Sequence, residues 1–274
     1  MRVIDYHMHT HFSGDSEANP REHVLKAIEM NLDEICFTDH RDFDYPIDSF
    51  ELDVENYYQE IQSLKEEFKD QIKIKWGIEM GLDLDHQEEI ENLIQQYPFD
   101  FVIGSIHVIH HTEFYYGEFF KGKTKEQAHR EFFEETLKCV KVFDCFNVLG
   151  HLDYIVRYGP YEDKTVDHQK YQDIIDYVSN TEFYSEEAEL YAWKQKVVAL
   201  ERLERFEEAE KIINKIALEY GDLDALIFSA LLLAAKQQYD KARQLAEVLL
   251  QNLSDEDVIY QYYAKTILTL CDMV

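Results

Sequence analysis

One pattern constrains this chain more than any other. Five times before residue 152, a short apolar run of strand character ends on a residue able to bind a metal ion or a phosphate. The runs are 2–6, 34–38, 72–78, 99–106 and 146–150. They lead into His7 and His9, into Asp39-His40-Arg41, onto Glu79, into His107 and into His151. Between them, 20–31, 53–69, 86–96 and 124–142 carry apolar residues at helical spacing. Strand and helix alternating in this way predict a parallel sheet. When such a sheet curls into an α/β barrel, the carboxyl ends of its strands share one rim, where chemistry is sited.

The richest of these ends is Asp5-Tyr6-His7-Met8-His9-Thr10-His11. Side chains at i, i+2 and i+4 of a strand share a face, so His7 and His9 project together. Two neutral imidazoles side by side make half of a metal site. Alone, the stretch reads equally as a polar strand end with three surface histidines. Five ligand-bearing strand ends on one rim favour the metal reading.

Net charge is −29, from 56 acidic and 27 basic residues. That balance argues against non-specific nucleic-acid binding and against anionic membranes. An anionic substrate would need locally placed Arg, Lys or metal. Cys36, Cys139, Cys145 and Cys271 show no CxxC spacing and read as buried thiols of a reducing compartment. With no basic-then-apolar leader and no 18-residue apolar run, a cytoplasmic location is expected. All 12 His lie between His7 and His168. Eight of the nine Gly and all four Pro precede residue 161. The change in composition places a domain boundary near 160–180.

The motifs DYHMHTHFSGDS, FTDHRDF, WGIEMG, IGSIHVIHH and GHLDYIVRYG, in this order, resemble the polymerase and histidinol phosphatase (PHP) family, and within it the histidinol-phosphatase branch. The resemblance covers residues 1–178. It implies a distorted β/α barrel around two to three divalent ions, of zinc, iron or manganese. Carried over by position, His7, His9 and Glu79 hold one ion. Glu79 bridges to a second held by His107 and His151, and Asp15 with His40 holds a third. A bridging carboxylate neutralises paired dications, and mixed imidazole and carboxylate sets suit these metals. Arg41 and Arg157 match positions that bind substrate phosphate, a task suited to a guanidinium fork. Asp153 is the candidate general acid for the leaving oxygen; its rival role is to orient a ligand. The implied reaction is hydrolysis of L-histidinol phosphate, a step of histidine biosynthesis. His110 and His111 read as solvated loop residues, and His23, His86, His129 and His168 as helix-surface or loop residues. Trp76, Tyr115 and Tyr116 read as packing.

The chain departs from the family after residue 178. The family's last strand carries an Asp-x-His that completes two of the metal shells, and no such motif follows here. The sixth and seventh strands are also missing. Instead, 185–272 reads as helical. Phe206-Glu-Glu-Ala-Glu-Lys-Ile212 recurs as Tyr239-Asp-Lys-Ala-Arg-Gln-Leu245, similar to tetratricopeptide (TPR) repeats. Helices are expected at 185–203 with 206–219, 223–236 with 239–252, and a cap at 255–272.

The fold class read from the sequence is therefore α/β: an incomplete PHP-type β/α barrel over 1–178, then an all-α TPR-like domain over 179–274. The functional reading is a metal-dependent phosphomonoester hydrolase impaired by loss of the Asp-x-His. Its partner is a small phosphomonoester. The rival is a non-catalytic interaction protein whose TPR-like groove binds a protein partner and whose barrel is scaffold. An acidic residue of the tail reaching the rim, such as Asp222 or Asp224, would favour the enzyme.

Overall fold

The computed structural model describes residues 3–46, 50–179, 193, 196–197, 200–201, 205–219, 222–254 and 257–273. Five strands form a parallel sheet in the order β1 (Ile4–Met8), β2 (Glu34–Phe37), β4 (Lys73–Gly81), β5 (Phe101–Ser105) and β8 (Val148–Leu149). These are the five runs expected from sequence. A further short strand, β3 (His40–Arg41), pairs with β4 so that His40 lies opposite Glu79. β6 (Val108–Ile109) and β7 (Thr112–Glu113) form a separate antiparallel hairpin. Its two-residue turn is His110-His111, both with positive φ, the turn whose twist suits a hairpin. The three short strands escape a sequence reading because two residues are too few to show a period. Among the described residues no further strand joins the sheet, which stays an incomplete barrel.

The helices cover the outer face: α1 (Pro20–Glu29), α2 (Val54–Glu67), α3 (Gln87–Gln96) and α4 (Lys125–Val142). Their starts are chemically marked. Asn19 caps α1 with Pro20 in its first turn. Thr124 and Gln127 form a reciprocal capping box on α4. α4 then buries Ala128, Phe132, Phe133, Thr136, Cys139 and Val140 along one stripe. Burial of Phe132 or Phe133 contributes about 1.5–3 kcal/mol. His129 shares that stripe and is buried, not on the helix surface. Burial pushes its imidazole down to about 4, so it stays neutral at physiological pH. Trp76 packs in the core; Tyr115 and Tyr116 are exposed, with Tyr115 set edge-on against Tyr116 and Tyr158.

The inner face of the sheet has its own small core of Tyr6, Cys36, Phe101, Ile103 and Val148. Cys36, Cys139 and Cys271 are buried, Cys145 is half-buried, and all four are free thiols. α5 (Tyr154–Tyr158) follows β8, and α6 (Gln172–Ser179) packs on α4.

The tail is helical: α7 (Phe206–Glu219), α8 (Asp222–Ala235), α9 (Tyr239–Asn252) and α10 (Val258–Asp272). Ala209 and Ala242 hold the same place in the repeated segment, and both are fully buried. With Ala230, Ala246 and Ala264, also fully buried, they let the helices approach closely. These helices form clusters of their own, distinct from the core beneath the sheet. The expected helix at 185–203 falls largely outside the described residues, as do the side chains of Asp222 and Asp224. Among the described residues no helix is long and apolar enough to cross a membrane.

Candidate metal centre

The site begins with an irregularity in β1. Asp5 pairs with Ile35 and Met8 with Phe37, so β1 uses one residue more than β2 over the same span. A bulge of this kind reverses which face later side chains take. Tyr6 therefore points into the inner core, and His7 and His9, beyond the bulge, also point inward. Glu79 has the parity of Lys75 and Gly77 on β4 and faces the same way.

Five imidazoles close a ring around the Glu79 carboxylate. Successive ring centroids lie 5.0 Å (His7–His9), 4.2 Å (His9–His40), 4.8 Å (His40–His107), 5.3 Å (His107–His151) and 5.9 Å (His151–His7) apart. Glu79 itself is fully buried. Its Oε2 lies 2.7 Å from His7 Nε2, 3.0 Å from His9 Nε2 and 3.6 Å from His40 Nε2. Its Oε1 lies 2.9 Å from His151 Nε2 and 3.2 Å from His107 Nε2, and accepts from Ser105 Oγ at 2.6 Å. The two oxygens thus serve opposite halves of the ring.

Two more carboxylates flank it. Asp15 Oδ2 stands 3.2 Å from His9 Nδ1 and 3.5 Å from His40 Nε2. Asp42 Oδ1 is 2.8 Å from His107 Nδ1, and its Oδ2 is 3.6 Å from His40 Nδ1. Three triplets have donor atoms close enough to share an ion: His7, Glu79, His151; His9, Asp15, His40; and His40, Asp42, His107. Asp42 and Ser105 went unread in the sequence. Each lies two residues from a residue already singled out, His40 and His107, and that spacing was the available signal.

The electrostatics are those of a site that stores positive charge. Burial opposes charge on His9, but the carboxylates of Asp15 and Glu79 beside it raise it to about 10. Against the same burial, Asp42 and Glu79 raise His107 to about 10. His151 goes the other way, down to about 4, because burial and the neighbouring His107 and His7 outweigh Glu79. Glu79, despite burial, is held well below the carboxylate range by the imidazoles around it. Asp42 sits at about 2 for the same reason. His9 Nε2 and His107 Nε2 face Glu79 but are not aligned for a hydrogen bond, and His40 Nδ1 and His151 Nδ1 are likewise buried without one among the described residues. Nitrogen donors left in that state fit a divalent cation.

The remaining residues singled out from sequence lie around this ring. Tyr154 stacks on His151 at 4.7 Å, and the exposed Arg157 lies 5.7 Å from the Tyr154 ring, one aromatic layer away from the imidazoles. Arg41 is mostly buried, 4.3 Å over Phe43, with Nη1 3.2 Å from Glu51. Asp153 is half-buried at the N-terminus of α5, where its side chain makes no capping bond.

The PHP domain model matches residues 5–175. The chain belongs to the PHP domain family. A histidinol-phosphatase from Lactococcus lactis subsp. lactis is 51% identical over 176 residues, which is 64% of this chain and 65% of that protein. A probable histidinol-phosphatase from Clostridium acetobutylicum is 32% identical over 177 residues, 64% of this chain and 67% of its length. The chain thus matches about two thirds of the length of these curated relatives. Among solved structures, it resembles histidinol phosphate phosphatase from Lactococcus lactis in complex with zinc, L-histidinol and phosphate. The TM-score is 0.63 at 34% identity, covering 98% of this chain and 94% of that one.

Proposed function

We propose that the chain is a metal-dependent phosphomonoesterase acting on L-histidinol phosphate. The observation that carries this is the Glu79 carboxylate, whose Oε2 is met by three imidazoles and whose Oε1 is met by two. The names of the relatives, and the zinc, L-histidinol and phosphate of the Lactococcus structure, support the choice of substrate.

Two to three divalent ions, of zinc, iron or manganese, fit the donor set. In this reading His7, His9 and Glu79 would hold one ion, and Glu79, His107 and His151 a second. Asp15 and His40 would hold a third. Such ions supply an activated water and positive charge at the phosphoryl oxygens. The protein's own groups do the rest. Arg157 takes phosphate oxygens as a bidentate fork, steadied on the Tyr154 face. Arg41 joins it by exchanging its pairing with the exposed Glu51. Asp153 passes a proton to the leaving oxygen. Asp42 orients His107 through its Nδ1, and Ser105 orients Glu79. We read residues 1–178 as the catalytic unit and 179–274 as a separate helical domain, a division supported by their distinct cores.

The test is phosphate release from L-histidinol phosphate by purified protein loaded with zinc or manganese, against p-nitrophenyl phosphate and after chelation. The expected result is metal-dependent turnover that favours L-histidinol phosphate. Absence of turnover by fully loaded protein would refute the proposal.

A further inference from the structure

The proposed ligands are supported in two ways. His7, Glu79 and His151 stand on or directly beside paired strands of the sheet, and the ladder holds their backbones. Asp15 does not: it lies on the loop that leaves β1 just after His9, which directly follows the paired Met8. Something must fix that loop against His40, which lies on the far side of the β2 exit.

The fixing group is Asp39, with no exposed surface and no place in the ring of imidazoles. Its Oδ1 accepts from Thr10 N at 2.6 Å, Thr10 Oγ1 at 3.1 Å and Ser13 Oγ at 2.8 Å. Its Oδ2 accepts from Thr10 Oγ1 at 3.0 Å. Ser13 Oγ in turn accepts from the backbone N of His40 at 2.8 Å. Thr10 and Ser13 are buried as well. Thr10 directly follows His9, Ser13 comes two residues before Asp15, and Asp39 directly precedes His40. A buried carboxylate with three converging donors is costly to disturb, because each donor it releases is stranded.

Resting on the metal reading of the site, we infer that the Asp39–Thr10–Ser13 network is a positioning device for the ion that Asp15 and His40 would hold. It clamps the loop that leaves β1, and sets the distance between ligands from two segments. The ion on the His107 and His151 side does not depend on it. Loss of an orienting partner of this kind lowers metal affinity about 10- to 100-fold.

Zinc alone is the probe, titrated into the full-length chain against a chromophoric chelator at fixed pH. Ser13→Ala removes the hydroxyl that ties the loop to the Asp39 carboxylate and to the His40 backbone. Thr10→Val removes a hydroxyl at constant shape, and Thr10→Ser restores it. In Ser13→Ala and Thr10→Val, one zinc equivalent is expected to weaken by about 10- to 100-fold while at least one other stays within about twofold. Thr10→Ser should behave as wild type. Equal weakening of every site, with a lower melting temperature of the metal-free protein, would make the network merely structural and overturn the inference. Unchanged binding in both variants would overturn it too. A wild-type chain that takes up no zinc would instead refute the metal reading itself, and this inference with it.

Discussion

Gly81, the last residue of β4, sets a limit on the site that can be tested with one methyl group. A Cβ at this position would lie 2.1 Å from Asp42 Oδ1 and 2.7 Å from Asp42 Cγ. Ordinary contact begins near 3.4 Å. In Gly81→Ala the carboxylate must therefore retreat by more than about 1 Å, and Oδ1 is the atom that meets His107 Nδ1 at 2.8 Å. That bond would then exceed hydrogen-bond range. A hydrogen bond to a charged group is worth about 1.5–3 kcal/mol, or roughly a 10- to 150-fold change in an equilibrium. Zinc affinity at the His107 side should fall by that factor, with kcat falling alongside it. The assay is zinc competition titration with steady-state phosphate release, and far-UV circular dichroism to confirm the fold. Gly150→Ala is a parallel probe, because its Cβ would meet Ser105 Oγ at 2.2 Å and disturb the donor to Glu79 Oε1. If Gly81→Ala keeps zinc affinity within twofold, Asp42 does not hold His107 in its working orientation.

Arg157→Ala should raise KM for a phosphomonoester by about tenfold or more, the worth of a charge-assisted contact, and leave zinc content unchanged; loss of metal would make Arg157 structural. Zinc uptake must displace protons from His9 and His107, both raised to about 10 in the metal-free site, so zinc affinity should fall as pH drops from 9 to 7. The same shifts set the stability of the chelated protein. Raised His9 and His107 contribute stability that is complete below 6.5 and lost as pH climbs through about 10. The lowered His151 removes stability as pH falls from 6.5 toward about 4, and Glu79 removes more below its ordinary range. Melting temperature without metal should peak near pH 6.5, and a plateau to pH 9 would contradict these charge states. Ala246→Leu overfills a fully buried position of the tail and should destabilise it by about 1–3 kcal/mol. Unchanged zinc binding in that variant supports a separate tail domain, and loss of zinc would refute one.

The parallel order of the sheet and the shared rim were legible in the sequence because both follow from local periods. Alternation of two in the strands and a repeat of 3.6 in the helices place a ligand at each strand end, whatever else the chain does. His7, His9, His40, Glu79, His107 and His151 could be chosen on that basis, and the 33-residue recurrence from Ala209 to Ala242 pointed to stacked helices. Tertiary structure decided what depends on contacts between distant segments. The bulge in β1 turns His7 and His9 inward although Tyr6 also points inward, and only the pairing with β2 reveals it. Asp42 becomes a partner of His107 across 65 residues of sequence because β3 and β5 both pair with β4, and Asp39 a clamp for a loop that begins 29 residues earlier because β1 and β2 are neighbours. His129 sits on a helix whose sequence gives it either a solvent or a core face, and burial against the barrel settled which. Local periodicity fixes which way a side chain leaves its own element; only packing between elements fixes what it meets.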